Sequence, residues 1–141
     1  MRKKTVVICA LIALAGRWAS AQQPDDQLRG SLFPPQVVMQ NQQTLGLTDD
    51  QKAYFEAEIR QVQPRFEELQ WKVEGEIEKM VSLVKQPKVD EAQALAQLEK
   101  VLGLEREIKR AQISLLIRIK NKLTVEQQAR LREIQSKPGV K

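Results

Sequence analysis

Two long stretches of the sequence place apolar side chains alternately three and four positions apart, a spacing that favours long helices packed lengthwise. In the first stretch the apolar series is Phe55, Ile59, Val62, Phe66, Leu69, Val73, Ile77, Met80 and Val84. In the second stretch the corresponding positions are Ala94, Leu98, Val101, Glu105, Ile108, Gln112, Leu115 and Ile119. A short break at Gln86-Pro87-Lys88 separates them, so the two helices must run antiparallel. The sequence therefore predicts an all-α fold: a long antiparallel helical hairpin with short flanking helices.

Helix-start signals lie at the ends of these stretches. In each signal a threonine or aspartate precedes a glutamine by three residues, the spacing of a helix cap or capping box. The three pairs are Thr48 with Gln51, Asp90 with Gln93, and Thr124 with Gln127. Pro64 falls inside the first long helix and predicts a kink, because proline lacks the N–H donor and clashes with the preceding turn. We also expect short helices over residues 36–44 and 124–135.

The N-terminus has the organisation of a cleavable export signal. Three basic residues are followed by an apolar stretch over residues 5–16 and by the small-residue pattern Ala19-Ser20-Ala21. A membrane-spanning helix needs about 20 apolar residues, so the stretch is short for an uncleaved anchor, which is the alternative. We predict cleavage after Ala21, a periplasmic location and no membrane span in the mature chain. The predicted organisation is a signal peptide over 1–21, a flexible tail over 22–35, a helical domain over 36–136 and a C-terminal tail over 137–141.

Removal of the signal would exclude several kinds of catalytic and metal site from the mature chain. The sequence has no histidine and a single cysteine, Cys9, which leaves with the signal. Catalytic triads, thiol redox pairs and zinc sites built on those residues are thereby excluded, and we expect neither an enzyme nor a cofactor. Four basic residues are also removed with the signal, so the formal net charge falls from +5 to +1. A net charge of +1 does not indicate a nucleic-acid partner, and we expect none.

Carboxylate pairs and methionines are the remaining candidate metal ligands. The carboxylate pairs are Asp49/Asp50, Glu67/Glu68 and Glu74/Glu78. Such groups can bind hard cations or act as acid and base, but these positions are typical of a solvated helix face. Met39 and Met80 are candidate copper ligands, but they lie far apart at apolar positions that are typical of packing. We therefore predict no metal site.

The two halves of the hairpin differ in charge. Residues 48–84 carry nine acidic and five basic residues, a net charge of −4, whereas residues 106–141 carry ten basic and three acidic residues, a net charge of +7. Attraction between an acidic and a basic helix is one explanation. The other is a surface for apolar and acidic partners such as unfolded chains. Its candidate residues are Leu102, Lys109, Arg110, Ile113, Leu116, Ile117 and Arg118. Because a single hairpin is too thin to bury all of its apolar side chains, we also expect a homodimer.

A leucine precedes each capping box, so the chain contains two LTxxQ motifs. They are Leu47-Thr48-Asp49-Asp50-Gln51 and Leu123-Thr124-Val125-Glu126-Gln127. Two such motifs, separated by a helical hairpin and preceded by an export signal, resemble the Spy/CpxP family of periplasmic proteins over residues 37–135. The resemblance implies a cradle-shaped antiparallel dimer. It also implies that Leu47, Thr48, Gln51, Leu123, Thr124 and Gln127 are structural rather than catalytic.

The resemblance implies three different functions. Spy is an ATP-independent chaperone that holds partly folded clients on a basic, apolar concave face, and CpxP inhibits an envelope-stress sensor kinase. Related proteins sense or buffer heavy metals, largely through histidine, which this chain lacks. We favour a holdase-like chaperone or envelope-stress protein that binds unfolded envelope proteins. The alternatives are a heavy-metal sensor or resistance protein and a regulatory partner of a sensor kinase.

Overall fold

The fold was obtained as a computed structural model, which describes residues 28 and 30–137. The predicted signal peptide lies outside the described residues, as do residues 22–27 of the predicted N-terminal tail and the last four residues of the chain.

The chain divides into two compact units, Met1–Leu32 and Phe33–Lys141. In the described part of the first unit, the backbone amides of Ser31 and Leu32 donate to the carbonyl oxygen of Leu28, at 3.0 and 2.9 Å, and close a turn. The helices described below all belong to the second unit.

The described residues of the second unit form five α-helices and no strand, which confirms the predicted all-α fold. In chain order they are α1 Pro35–Gln40, α2 Gln42–Leu45, α3 Asp49–Val84, α4 Glu91–Lys122 and α5 Val125–Ser136. Helices α3 and α4 pack against each other along their length, which confirms the predicted hairpin. The cradle-shaped dimer stays a prediction.

The caps of the long helices lie where the sequence predicts them. Thr48 is the N-cap of α3, and Asp90 is the N-cap of α4, where its side chain accepts a hydrogen bond from the backbone amide of Gln93 at 3.1 Å. Helix α3 continues through Pro64, which is solvent-exposed and takes no place in the core.

The single short helix expected over residues 36–44 is instead two helices. Asn41 separates them, because its backbone leaves the helical conformation and its side-chain Nδ2 donates to the carbonyl oxygen of Val37 at 2.8 Å. Gly46 then ends α2 with a φ of 62°, a left-handed conformation that glycine adopts without steric cost.

The core lies where the short helices meet the open end of the hairpin. Helix α1 contacts α3, and α2 contacts α5. The core residues are Phe33, Val38, Leu45, Leu47, Phe55, Leu115, Ile119, Leu123 and Leu131. Phe33, which is fully buried, falls within residues 22–35, where the sequence predicts a tail. Burial of a large apolar side chain contributes about 1.5–3 kcal/mol, so this cluster fixes the open end of the hairpin.

Candidate functional site

The glutamines of the two LTxxQ motifs meet in the core at the open end of the hairpin. Gln51 Nε2 donates to Gln127 Oε1 at 2.8 Å, and Gln127 Nε2 donates to Gln51 Oε1 at 3.0 Å. Each amide nitrogen also donates to a backbone carbonyl near the other motif, that of Lys122 at 2.9 Å for Gln51 and that of Leu45 at 3.3 Å for Gln127. The two buried side chains therefore join the start of α3 to the start of α5.

The same amides complete the predicted capping boxes. Gln51 Oε1 accepts from the backbone amide of Thr48 at 3.1 Å, and Gln127 Oε1 accepts from that of Thr124 at 2.9 Å. Each threonine hydroxyl in turn accepts from the backbone amide of its glutamine. With these bonds, the two N–H donors and both acceptor positions of each buried amide are used. This pairing was missed from the sequence, where each motif was interpreted only as a helix cap with a packing leucine.

One side of the hairpin carries ion pairs that join α3 to α4. Arg65 Nη2 lies 2.8 Å from Glu107 Oε2, and Lys122 Nζ lies 2.8 Å from Asp50 Oδ2. These four side chains are at least one third exposed, so each pair contributes only about 0.2–1 kcal/mol. They therefore supply little of the stability of the hairpin.

The opposite side of the hairpin is apolar. Consecutive residues of an α-helix point about 100° apart, which gives the direction of each side chain relative to the buried seam. On both α3 and α4, apolar side chains outside the seam are displaced to the same rotational side of it. Because the helices run antiparallel, this displacement brings them to one side, opposite the ion pairs. We define this apolar face by Val73, Ile77, Val84, Leu95, Leu98 and Leu102. Leu95 is 51% exposed and Leu102 is 39% exposed, so the face is open to solvent in the single chain.

The structure places on two sides of α4 the seven residues that the sequence grouped into one client-binding surface. Leu102 belongs to the apolar face, and the half-buried Leu116 and the exposed Lys109 lie on the same side of α4. Ile113, which is half-buried, lies between that side and the outer edge of α4, where Ile117 and Arg110 are exposed. Six of the seven residues therefore fall within a sector of about 120° on α4, and one, Arg118, lies outside it.

Arg118 lies on the ion-paired side of the hairpin, away from the apolar face. Its Nε is 2.7 Å from Glu58 Oε2, but the N–H does not point at the oxygen, so neither buried atom gains a hydrogen bond. Arg118 follows Ile117 in sequence, and consecutive helical residues point about 100° apart. The Arg118 side chain thus joins α4 to α3 through Glu58 and does not share the exposed surface of Ile117.

A third buried glutamine, Gln97, lies near the tip of the hairpin. Gln97 Nε2 donates to the backbone oxygen of Glu76 at 2.9 Å and to its Oε2 at 2.5 Å. Hydrogen bonds from Lys79 and Gln97 hold the pKa of the Glu76 carboxyl below its ordinary value. This contact joins α3 to α4 at the end that lies away from the core. Gln97 lies three residues after Ala94 and four before Val101, the spacing of the buried seam, but the predicted seam has the neighbouring leucine at that position.

The described residues do not offer a conventional site for a soft metal ion. Across this part of the chain, no group of three or more histidine, cysteine, aspartate or glutamate side chains could hold a metal. Met39 packs against the core at the open end, whereas Met80 lies near the C-terminal end of α3, so the two thioethers are not brought together. In the same part of the chain, no helix is long and apolar enough to span a membrane.

Comparison with known proteins identifies the family. Neither a curated protein nor a solved structure matches the chain. A family model described as heavy-metal resistance matches residues 5–132, which is most of the sequence and includes the hairpin and both LTxxQ motifs. This family lies within the Spy/CpxP-like group of periplasmic LTxxQ proteins, as the motifs predict. The chain therefore belongs to the heavy-metal resistance family.

Proposed function

We propose that this protein serves heavy-metal resistance in the bacterial periplasm and that it acts by binding other polypeptides. The match to the heavy-metal resistance family over residues 5–132 carries the first part of the proposal. The apolar face supports the second part, because a surface of exposed aliphatic side chains on a thin hairpin suits apolar partners. The predicted export signal supports the periplasmic location.

Growth of a deletion strain on metal salts tests the role in resistance. We expect the strain to be more sensitive than the parent to zinc, copper or nickel, and we expect a plasmid copy of the gene to restore tolerance. Unchanged growth of the deletion strain at every concentration of all three metals would contradict the proposal.

Calorimetric titration of the purified protein with the same metals separates two routes to resistance. A Kd below about 1 μM, roughly −8 kcal/mol, would mean that the chain binds the metal itself through carboxylate or thioether ligands. We expect weaker binding, because the sequence has no histidine and Met39 and Met80 lie near opposite ends of the hairpin. Resistance would then depend on the proteins that this chain contacts.

A holdase-like chaperone is the second candidate, and the exposed Leu95 and Leu102 favour it. We expect the protein to suppress aggregation of reduced α-lactalbumin without ATP. Replacement of both leucines by serine should reduce that suppression, while the helix content stays unchanged because neither side chain belongs to the buried core. Val125→Ser is the matched control, since Val125 is 73% exposed but lies at the start of α5, away from the apolar face. Equal suppression by the wild-type protein and the double variant would reject the chaperone role of this face.

Two further proposals concern partners. A second copy of the chain is the expected homodimer partner, and sedimentation velocity of the purified protein measures this directly. A dedicated regulatory target, such as an envelope sensor kinase, would be recovered as one dominant protein in a periplasmic pull-down, whereas a chaperone would recover many.

A further inference from the structure

Trp71 is the most exposed large apolar side chain of the described residues, with 75% of its surface accessible. It follows the fully buried Leu69 by two positions in α3. At about 100° per residue, the indole therefore points about 160° away from the seam between the helices. Neither the amide pair nor the apolar face involves this outer edge of α3. Exposed tryptophan is unusual on a free surface and is enriched at the centres of protein interfaces.

Three glutamates lie beside Trp71 on the same outer edge. Glu67 and Glu74 lie four residues before and three residues after Trp71, and Glu78 lies one turn beyond Glu74. At about 100° per residue, all four side chains fall within a sector of roughly 60°. Their carboxylates have no ion-pair partner among the described residues, although Gln63 Nε2 donates to Glu67 at 3.1 Å. Glu68, in contrast, bonds Lys72 and Arg65, and these bonds lower its pKa.

Gly75 has no side chain that could cover the exposed Trp71. Helical side chains lean toward the N-terminus, so a side chain at position 75 would lie over Trp71, one turn earlier. Packing does not require a glycine here, because a Cβ added at this position meets no atom within 4 Å. Glycine is also less favourable than alanine inside a helix. We call the surface formed by Glu67, Trp71, Glu74, Gly75 and Glu78 the Trp71 edge.

We propose that the Trp71 edge is a docking surface for a partner polypeptide that presents arginine or lysine beside apolar side chains. A cation placed over the indole face gains a cation–π interaction, and the flanking carboxylates supply the complementary charge. The basic residues 106–141 suit acidic partners. The Trp71 edge is acidic, so it suits a basic partner instead. The inference therefore goes beyond the proposed function, which concerns the apolar face on another side of the hairpin.

A peptide-binding experiment tests this proposal. In a Trp18→Phe background, Trp71 is the only tryptophan whether or not the signal has been removed. The probe is a labelled peptide of alternating leucine and arginine, and the matched control peptide carries glutamate in place of arginine. We expect the arginine peptide to bind saturably and to change the emission of Trp71, and the glutamate peptide to do neither.

Three variants identify the surface that binds the peptide, with anisotropy of the labelled peptide as the measurement. Trp71→Ala should weaken binding by about tenfold, as expected for an interface hot spot. The double variant Glu74→Gln/Glu78→Gln should weaken it severalfold. Gly75→Gln should weaken binding and yet raise the melting temperature, a combination that loss of fold cannot produce. Val125→Ala, which alters an exposed apolar residue elsewhere, should leave binding unchanged.

Wild-type affinity for the arginine peptide in both Trp71→Ala and Gly75→Gln would overturn the proposal. Equal affinity of the wild-type protein for the arginine and glutamate peptides would also overturn it, since the carboxylates would then contribute no selectivity. Both results are independent of metal tolerance, so they leave the proposed function standing.

Discussion

Truncation of Gln127 is the perturbation that most directly probes the joined LTxxQ motifs. Gln127→Ala removes four side-chain hydrogen bonds, two shared with Gln51, one from the Thr124 amide and one to the Leu45 carbonyl. Gln51 keeps its bonds to Thr48 and Lys122. One N–H of the buried Gln51 amide is nevertheless left without an acceptor, and the Leu45 carbonyl loses its side-chain donor.

The expected loss of stability follows from those bonds. A buried polar group left without its partner costs about 1–3 kcal/mol, and loss of one half of a capping box adds about 0.5–1 kcal/mol. We therefore expect Gln127→Ala to lower the free energy of unfolding by about 3 kcal/mol. Gln51→Ala should cost a similar amount. The double variant should cost about 1–2 kcal/mol less than the sum, because it leaves no unpaired amide behind.

Urea unfolding followed by far-UV circular dichroism, at one fixed protein concentration, measures these values. Gln70→Ala is the matched control, because Gln70 is an exposed glutamine of α3, and its replacement should change the free energy of unfolding by less than about 0.5 kcal/mol. A cost for Gln127→Ala as small as that of the control would refute this account of the amide pair. Strict additivity of Gln51→Ala and Gln127→Ala would also refute it.

Three further predictions concern single positions and use the same unfolding assay, together with hydrogen exchange for Thr48→Ala. Pro64→Ala should raise stability by about 1–3 kcal/mol, because it restores a helical N–H and removes a steric clash at an exposed site; no gain would mean that packing depends on the proline. Thr48→Ala should cost about 1 kcal/mol through loss of the N-cap and should speed hydrogen exchange at the Gln51 amide; unchanged exchange would contradict it. Glu76→Gln should reduce the loss of stability on acidification. The pKa of the Glu76 carboxyl in the folded protein lies below its ordinary value of 4.5, so the ionised carboxylate stabilises the fold above pH 4.5. This contribution disappears as the pH falls through the lower folded-state pKa. Equal acid sensitivity of variant and wild type would contradict the prediction.

The hairpin and its caps could be predicted from the sequence because both depend on local spacing. Apolar steps of three and four residues determine which side of each helix is buried, and a threonine three residues before a glutamine determines where a helix begins. The break at Asn41 depends on a hydrogen bond from its own side chain to Val37, a weaker signal that many asparagines carry without ending a helix.

The candidate surfaces were harder to predict, because they depend on how the helices are placed around each other. Proximity in sequence grouped Ile117 with Arg118, although rotation along α4 turns Arg118 toward Glu58. The pairing of Gln51 with Gln127 requires two motifs that are distant in sequence to meet, which helical periodicity within one segment does not specify. Trp71 lies outside the apolar series of α3, so the sequence already places it away from the seam, but its 75% exposure also requires that no other described element covers it.

The central claim is that metal resistance depends on polypeptide binding by the apolar face. Growth on metal salts of a deletion strain that carries variants of this face tests the claim most directly. The deletion strain would receive wild-type protein, the Leu95→Ser/Leu102→Ser variant or the Val125→Ser control, with equal periplasmic amounts verified by immunoblot. We predict that the wild-type protein and the Val125→Ser control restore growth on metal salts and that the double variant does not. Full restoration of metal tolerance by the double variant would contradict the claim.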